Sequence, residues 1–220
     1  IIDNEYSSIE PISNRYEDGY IVKDDNGKYG VINYAKTVVL ENKYEEIKHV
    51  NAVSQYYIVK QDGNWEIVDG DGKEYLNGKY DDIISVDSSN AIVKNDRKYG
   101  VVSISDGKKL IDVNYDGITY ATGNNYIVNK DSKYGVMDSN GNKLIDFKYS
   151  NIVYRTSANI YEAVNADYTS DLLDSDFNVK LSKVIVSELN TDKGYIKVSK
   201  NDEDKYYNFK FEPKESKEVL

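Results

Sequence analysis

The sequence predicts an all-β fold made of six tandem repeats, each a four-stranded antiparallel unit of about 35 residues. Three observations support this prediction. The 220 residues include 22 Tyr and only 2 Pro, and Tyr, Val and Ile favour strands. Short phrases recur at one spacing along the whole chain. Within each copy, short apolar runs with a period of two are separated by turn residues, which is typical of strands rather than helices.

Two of the recurring phrases set the length of the repeat. The first reads KYG in three of its copies, and its aromatic residues are Tyr29, Trp65, Tyr99, Tyr134, Tyr168 and Tyr206. The second, Tyr-x-x-Ile, begins at Tyr6, Tyr44, Tyr80, Tyr115 and Tyr149. Because both phrases keep the same period, one repeat domain is expected over residues 1–220. The repeats are predicted at 1–43, 44–79, 80–114, 115–148, 149–182 and 183–220.

Each repeat is predicted to contain four strands, here called a to d. They are the Tyr-x-x-Ile run, a run such as YIVK, the run that begins with KYG and a run such as KLIDFKY. Turn segments such as DDNGK and SNGNK supply Asn and Gly, which accept the positive φ of hairpin turns. One small sheet leaves an apolar face exposed, so the repeats are expected to stack. The predicted arrangement is a ring like a β-propeller, and an open β-meander or solenoid is the alternative.

The glycine of the KYG phrase is predicted to serve packing. Gly30, Gly100 and Gly135 follow the aromatic residue at the start of strand c. Because stacked repeats present the same interface to each neighbour, the recurring aromatic ring is expected to pack against the next repeat. The glycine would then admit that ring or relieve a β-bulge.

Three stretches of the sequence resemble the bacterial WG repeat, also called the KWG repeat. They read GKYGVINYAKTVVLENKYEEI, RKYGVVSISDGKKLIDVNYDGI and SKYGVMDSNGNKLIDFKYSNI. The resemblance covers roughly residues 20–152, with Tyr where the family usually has Trp. Trp65 is the exception, and Glu66 follows it in place of Gly. The resemblance implies a structural motif without catalytic residues, in a bacterial protein of a kind that is often exported or located at the cell surface.

Charge and composition exclude several classes of partner. The formal net charge of −10 disfavours a nucleic-acid backbone or an anionic lipid surface. No apolar run approaches the roughly 18 residues needed to cross a bilayer, so no membrane insertion is expected. The chain has no Cys, which excludes thiol catalysis and thiolate metal sites. Because it starts without Met, we expect a fragment of a larger bacterial protein, extracellular or at the cell surface.

No residue pattern in the sequence predicts catalysis, a cofactor or a metal site. The single histidine, His49, lies at a variable position of the repeat and has no partner in a triad or metal-binding pattern. Neighbouring carboxylates such as Glu45 and Glu46 point to opposite faces of a strand. Counting from Asp69, Tyr80 stands where a calcium loop needs a bidentate Glu. We therefore expect that the chain is not an enzyme and binds no cofactor.

Seven tyrosines fall outside the recurring positions and are the candidates for recognition. They are Tyr16, Tyr34, Tyr56, Tyr75, Tyr120, Tyr154 and Tyr207. Four of these are the predicted recognition residues: Tyr120, Tyr154, Tyr34 and Tyr75. Tyr120 and Tyr154 each lie two residues beyond the Ile of the Tyr-x-x-Ile phrase, so they are expected on the same sheet face in adjacent repeats. Tyrosine offers rigid contact area to proteins, and its ring can also stack on sugars.

The predicted function is a non-catalytic binding or scaffolding repeat module of a bacterial exported or cell-surface protein, which recognises a protein or a glycan. Two alternatives stay open. One is a glycan-acting enzyme with carboxylates at the mouth of the ring, and the other is a structural spacer without a ligand. An enzyme would bring acids together in one pocket, whereas a binding module would present a shallow surface lined by repeats.

Overall fold

The computed structural model describes residues 6–12, 19–48, 56–76, 79–86 and 89–216, and no α-helix occurs among them. The chain forms two compact units, Ile1–Asn114 and Tyr115–Leu220, here called the N-terminal unit and the C-terminal unit. Strands that follow one another in a sheet pair antiparallel. The predicted all-β fold of small antiparallel sheets is therefore confirmed.

The N-terminal unit contains three sheets among its described residues. The first has the order β1-β2-β3-β4, with the bounds Ser8–Pro11, Tyr20–Lys23, Tyr29–Ile32 and Val38–Tyr44. The second has the order β5-β6-β7, with the bounds Glu46–Lys48, Tyr56–Gln61 and Asn64–Asp69. The third has the order β8-β9-β10-β11, with the bounds Asp82–Val86, Asn90–Asn95, Lys98–Ser103 and Lys109–Tyr115.

The C-terminal unit contains one four-stranded and one seven-stranded sheet in the part of the chain described. The first has the order β12-β13-β14-β15, with the bounds Gly117–Thr122, Asn125–Lys130, Lys133–Asp138 and Lys143–Tyr149. The second runs in chain order from β16 to β22. Its strands are Asn151–Arg155, Ile160–Val164, Ser170–Leu173, Val179–Asn190, Tyr195–Lys200, Glu203–Tyr207 and Pro213–Lys214.

The sheets depart from the prediction of six four-stranded units at two places. The second sheet has three strands, and the described residues of the segment that corresponds to strand d meet β7 through isolated bridges. The fifth and sixth repeats share one sheet, because β19 is a single strand of 12 residues that pairs with β18 and with β20. The repeat boundaries, the closed ring and the open solenoid stay predictions.

Consecutive sheets pack against each other within both units. A core cluster joins the first two sheets through Ile21, Val31, Leu40, Ile47, Val59 and Val68. A second cluster joins the second and third sheets through Ile58, Ile67, Leu76, Val93 and Val102. In the C-terminal unit, the two sheets meet through Val136, Ile145, Tyr149, Ile152, Ala163 and Leu173. The stacking expected from one apolar face per sheet is therefore present inside each unit.

The position that follows the aromatic residue of strand c, here called the glycine column, allows strand d to come close. A Cβ atom on Gly135 would lie 2.5 Å from the carbonyl oxygen of Ile145, and one on Gly30 would lie 2.6 Å from that of Leu40. The strand register also skips Gly30 and Gly135, as in a β-bulge. The predicted bulge is thus confirmed, while the close neighbour that requires glycine is the backbone of strand d rather than an aromatic ring.

The strand pairing of repeat 5 shows that one residue does not occupy the repeat position predicted for it. Val164 pairs with Ser170 and Ala163 with Asp171, so Ser170 takes the aromatic position of the KYG phrase. Tyr168, assigned to that position from its spacing, instead lies in a turn with a φ of 64° and is 88% exposed. The turn between β17 and β18 is longer, which explains the shift. A position assigned from sequence spacing counts the extra turn residues, whereas the true position in the repeat depends on which strand residues pair.

Candidate functional site

The four tyrosines predicted for recognition fall into two pairs, one in each compact unit. In the C-terminal unit, Tyr120 lies on β12 and is 50% exposed, while Tyr154 lies on β16 and is half-buried. In the N-terminal unit, Tyr34 is 66% exposed on the turn between β3 and β4. Tyr75 is half-buried in the segment that follows β7.

Tyr154 packs against a third tyrosine, Tyr161 on β17, while the ring of Tyr120 packs edge-on against Tyr126, with centroids 6.1 Å apart. Tyr154 pairs with Tyr161 across β16 and β17, and the centroids of the two rings lie 4.9 Å apart. Both Tyr120 and Tyr154 act electrostatically on the Tyr161 hydroxyl. We call Tyr120, Tyr154 and Tyr161 the tyrosine cluster. It draws one residue from the four-stranded sheet and two from the seven-stranded sheet.

The hydroxyl of Tyr161 is buried without a hydrogen bond. The residue has no exposed surface, and its hydroxyl is the one buried side-chain oxygen or nitrogen without a hydrogen-bond partner in the described chain. Burial raises the pKa of Tyr161 to about 12, and the nearby Asn125 side chain opposes this rise. Leaving such a hydroxyl unsatisfied costs about 1–3 kcal/mol.

The outer hydroxyls of the tyrosine cluster are anchored on loops. Tyr120 donates to the carbonyl oxygen of Gly123 at 3.0 Å, and Tyr154 donates to Oδ1 of Asn159 at 2.7 Å. Each of these hydroxyls can still accept a hydrogen bond from a ligand. The cluster therefore offers aromatic faces and neutral polar groups, which suits sugar hydroxyls or peptide amides.

The two candidates in the N-terminal unit differ in their surroundings. Tyr75 packs edge-on against Tyr56, with ring centroids 4.9 Å apart, and its hydroxyl donates to Oδ2 of Asp69 at 2.9 Å. This hydrogen bond raises the pKa of Tyr75. Tyr34 lies on a turn in which Asn33 Oδ1 accepts from the backbone N–H of Thr37 at 2.9 Å. Tyr75 thus supports a turn, while Tyr34 projects alone.

Sequence reasoning missed Tyr161, Asn125 and Asn159 as parts of the site. Tyr161 belongs to the recurring YIVK column, so its spacing indicates packing and nothing singles it out. The two asparagines lie beside the turns between strands a and b, where a polar residue is expected anyway. Two further residues considered from the sequence, His49 and Tyr16, lie outside the described residues. In the described ranges, no three His, Asp or Glu side chains are grouped to hold a metal ion.

The stacked sheets, with their bulged glycine on strand c, define a protein built from β-sheet repeats. More specifically, the family model described as WG containing repeat matches residues 29–65 and 134–160. The matches lie one in each unit, so the resemblance to the WG repeat noted in the sequence is confirmed over these two stretches. No curated protein matches the sequence.

Several solved structures are similar to the chain at low sequence identity. Hsv2 of Kluyveromyces lactis is 9% identical with a TM-score of 0.46, and the match covers 92% of this chain and 75% of Hsv2. Sqt1 of Saccharomyces cerevisiae is 14% identical with a TM-score of 0.41, over 91% of this chain and 70% of Sqt1. A eukaryotic initiation factor is 8% identical with a TM-score of 0.49, over 98% of this chain and 66% of the factor. The fold described above rests on the chain's own strand pairing.

Among the described residues, no helix is long and apolar enough to cross a membrane.

Proposed function

We propose that the chain is a non-catalytic binding module of a bacterial exported or cell-surface protein, and that it recognises a protein or a glycan through the tyrosine cluster. The observation that supports this most directly is the packing of Tyr154 on Tyr161, with Tyr120 close enough to act electrostatically on the same hydroxyl. Tyr120 and Tyr154 are not needed by the repeat pattern, yet they occupy equivalent positions in consecutive repeats.

The chemistry of the tyrosine cluster favours binding over catalysis. Tyrosine rings give a large contact area at a small cost in conformational entropy. The ionic pair beside the cluster is already satisfied, since Arg155 Nη2 lies 2.6 Å from Oε2 of Glu162. A ligand would therefore meet rings, hydroxyls and amides rather than an unpaired charge. Neutral groups of this kind suit a sugar or a peptide backbone.

The enzyme alternative would need a carboxylate poised as an acid. Glu66 is the candidate, because burial raises its pKa and the neighbouring Glu74 adds to this effect. Its Oε1 atom, however, accepts hydrogen bonds from the backbone N–H groups of Ile67 and Leu76, both at 2.8 Å. A carboxylate held in this way favours a structural role, so the proposal assigns no catalytic residue.

The test compares two alanine variants for binding to a printed glycan array and to a phage-displayed peptide library. Tyr120→Ala combined with Tyr154→Ala removes two rings of the cluster, and Tyr34→Ala removes an exposed tyrosine in the other unit. We expect selective binding by the unmodified chain, at least about tenfold weaker binding by the double variant and unchanged binding by Tyr34→Ala.

Circular dichroism and the melting temperature check that each variant is folded. Equal binding by the double variant would contradict the site. An absence of selective binding by the unmodified chain would contradict the function and favour the structural spacer. Tyr120→Phe then separates the contribution of the ring from that of the hydroxyl, because only the hydroxyl is lost.

A further inference from the structure

The hairpins that join strands a and b in the fourth and fifth repeats carry almost no charge. Residues 117–129 contain no Asp, Glu, Lys or Arg, and neither do residues 156–161, although 30% of the whole chain is charged. Arg155, next to the second hairpin turn, is paired with Glu162. The corresponding hairpin of the sixth repeat differs, because its turn reads TDKG. The surface around the tyrosine cluster is therefore neutral within a strongly charged protein.

The polar groups at these two hairpins are amides and hydroxyls. Asn159 is exposed, and its Oδ1 atom accepts from the Tyr154 hydroxyl at 2.7 Å. This hydrogen bond fixes the orientation of the amide and leaves its Nδ2 group as a donor for a ligand. On the other hairpin, Tyr120 donates to the carbonyl oxygen of Gly123, and Asn124 is exposed. Amides and hydroxyls both donate and accept, which matches the hydroxyl groups of a sugar.

The exposed apolar surface at these hairpins is a single aromatic ring. Within residues 117–161, all of which the structure describes, Tyr120 is the only exposed large apolar side chain. A helical peptide ligand needs several apolar anchors along a groove, and an extended peptide needs a strand edge or paired pockets. A sugar ring needs one aromatic face for its C–H groups and nearby polar groups for its hydroxyls. The hairpins therefore fit a glycan better than a peptide.

The two tyrosines recur at the distance between stacked sheets. Tyr120 pairs with Tyr126 and Tyr154 pairs with Tyr161, so both occupy the same position in consecutive repeats. The two sheets pack against each other, and because stacked sheets lie about 10 Å apart, the two positions are separated by about the same distance. One sugar ring is shorter than this span. A ligand that contacts both tyrosines is therefore an oligosaccharide.

We propose that the hairpins of the fourth and fifth repeats bind a neutral linear oligosaccharide, with one sugar on the ring of Tyr120 and another on the ring of Tyr154. Asn159 donates from Nδ2 to a sugar hydroxyl. The net charge of −10 and the lack of a free cation at the hairpins disfavour an anionic glycan. This inference rests on the proposed function and names the class of ligand for the same site.

Isothermal titration calorimetry with defined sugars tests the proposal. The neutral probes are cellohexaose, chitohexaose, maltohexaose and mannohexaose, each compared with its monosaccharide, and hexagalacturonate is the anionic probe. We expect at least one neutral hexasaccharide to bind about 100-fold more tightly than its monosaccharide, because two linked contacts act together. Hexagalacturonate is expected to bind at least about tenfold more weakly than that neutral hexasaccharide.

Four variants connect the binding to the hairpins. Tyr120→Ala is expected to weaken hexasaccharide binding about tenfold, while Tyr168→Ala, which removes an exposed tyrosine from another turn of the same unit, should leave it unchanged. Asn159→Asp keeps the acceptor for Tyr154 but removes the donor and adds a charge, so binding should again fall about tenfold. Asn151→Asp makes the same change at the opposite end of β16, where Asn151 is exposed, and should bind normally.

Any of four results would overturn the proposal: no binding by the neutral hexasaccharides, an affinity independent of chain length, unchanged binding by Tyr120→Ala, or equal binding by Asn159→Asp and Asn151→Asp. The peptide library distinguishes this failure from failure of the proposed function. Selective peptide binding through the tyrosine cluster, without hexasaccharide binding, would contradict the glycan and keep the binding module. Binding of neither class would contradict both.

Discussion

The sheet of β5 to β7 and the sheet of β12 to β15 are built from the same repeat, yet among the described residues only the second has a continuous strand d. In the complete sheet, Gly135 lets the carbonyl of Ile145 approach to within 2.5 Å of where a Cβ would lie. In the other sheet, Glu66 occupies that position and a side-chain carboxylate binds the following segment. One residue in the glycine column thus accompanies the difference between a continuous strand ladder and one that the described residues form through isolated bridges.

The fifth repeat shows that a carboxylate in the glycine column does not by itself prevent strand d from pairing. The register of β17 and β18 places Asp171 in the glycine position, and β18 still pairs with β19. Asp171 accepts from Ser182 Oγ at 2.7 Å and from the Lys183 N–H at 3.0 Å. Burial would raise the pKa of Asp171, but these hydrogen bonds lower it on balance. The shorter side chain reaches the neighbouring strand, which keeps its place with a bulge.

The largest effect is expected when Glu, the residue at position 66 in the sheet of β5 to β7, replaces glycine at the corresponding position in the sheet of β12 to β15. Gly135→Glu would force a side chain against the Ile145 carbonyl, so we expect the free energy of unfolding to fall by about 3 kcal/mol. Gly117→Glu is the matched control, because the nearest atom to its Cβ lies 3.7 Å away. Urea denaturation followed by circular dichroism measures both. Equal losses for the two variants would contradict the role assigned to the column.

A smaller difference is expected between the tyrosines that end strand d in the two sheets. The Tyr149 hydroxyl donates to Oδ2 of Asp171 at 3.0 Å, and a hydrogen bond to a charged group contributes about 1.5 kcal/mol. Tyr80 makes no such hydrogen bond with the described residues. We therefore expect Tyr149→Phe to lower the free energy of unfolding by about 1.5 kcal/mol and Tyr80→Phe by less than about 0.5 kcal/mol. Similar losses in urea denaturation would show that the carboxylate partner is unimportant.

The smallest effect is expected on the stability of the folded state at alkaline pH. Burial, together with the hydrogen bond to Asp171, raises the pKa of Tyr149 to about 12, against about 10 in an unfolded chain. The folded state therefore holds this proton more tightly, and the associated stability is present below pH ~10 and is lost as the pH rises toward 12. Tyr161 behaves in the same way for reasons of burial, with a pKa raised to about 12.

Ultraviolet absorbance of tyrosinate during a pH titration measures this effect. We expect Tyr149→Phe and Tyr161→Phe each to remove absorbance that appears late in the titration, near pH 12. Loss of absorbance early in the titration in both variants would contradict the raised pKa values.

Much of the fold could be predicted because it depends on local pattern. The period of two and the turn residues indicated antiparallel strands, and both residues of the Asp62–Gly63 turn have the positive φ that such hairpins need. The spacing also placed Tyr120 and Tyr154 in one column, which the register of β12 and β16 bears out. Their role in recognition stays a prediction. The single sheet shared by the last two repeats could not be predicted, because it depends on β19 pairing with both β18 and β20.

The sequence by itself determined the class of fold, the period and the resemblance to the WG repeat, because alternation, turns and recurring phrases are properties of neighbouring residues. Only the tertiary structure decided what surrounds each residue. It placed the buried hydroxyl-bearing ring of Tyr161 against Tyr154, and it turned the Glu66 carboxylate toward the backbone N–H of Leu76. Both results depend on contacts between residues that are distant in the chain, and a repeat pattern alone does not specify such contacts.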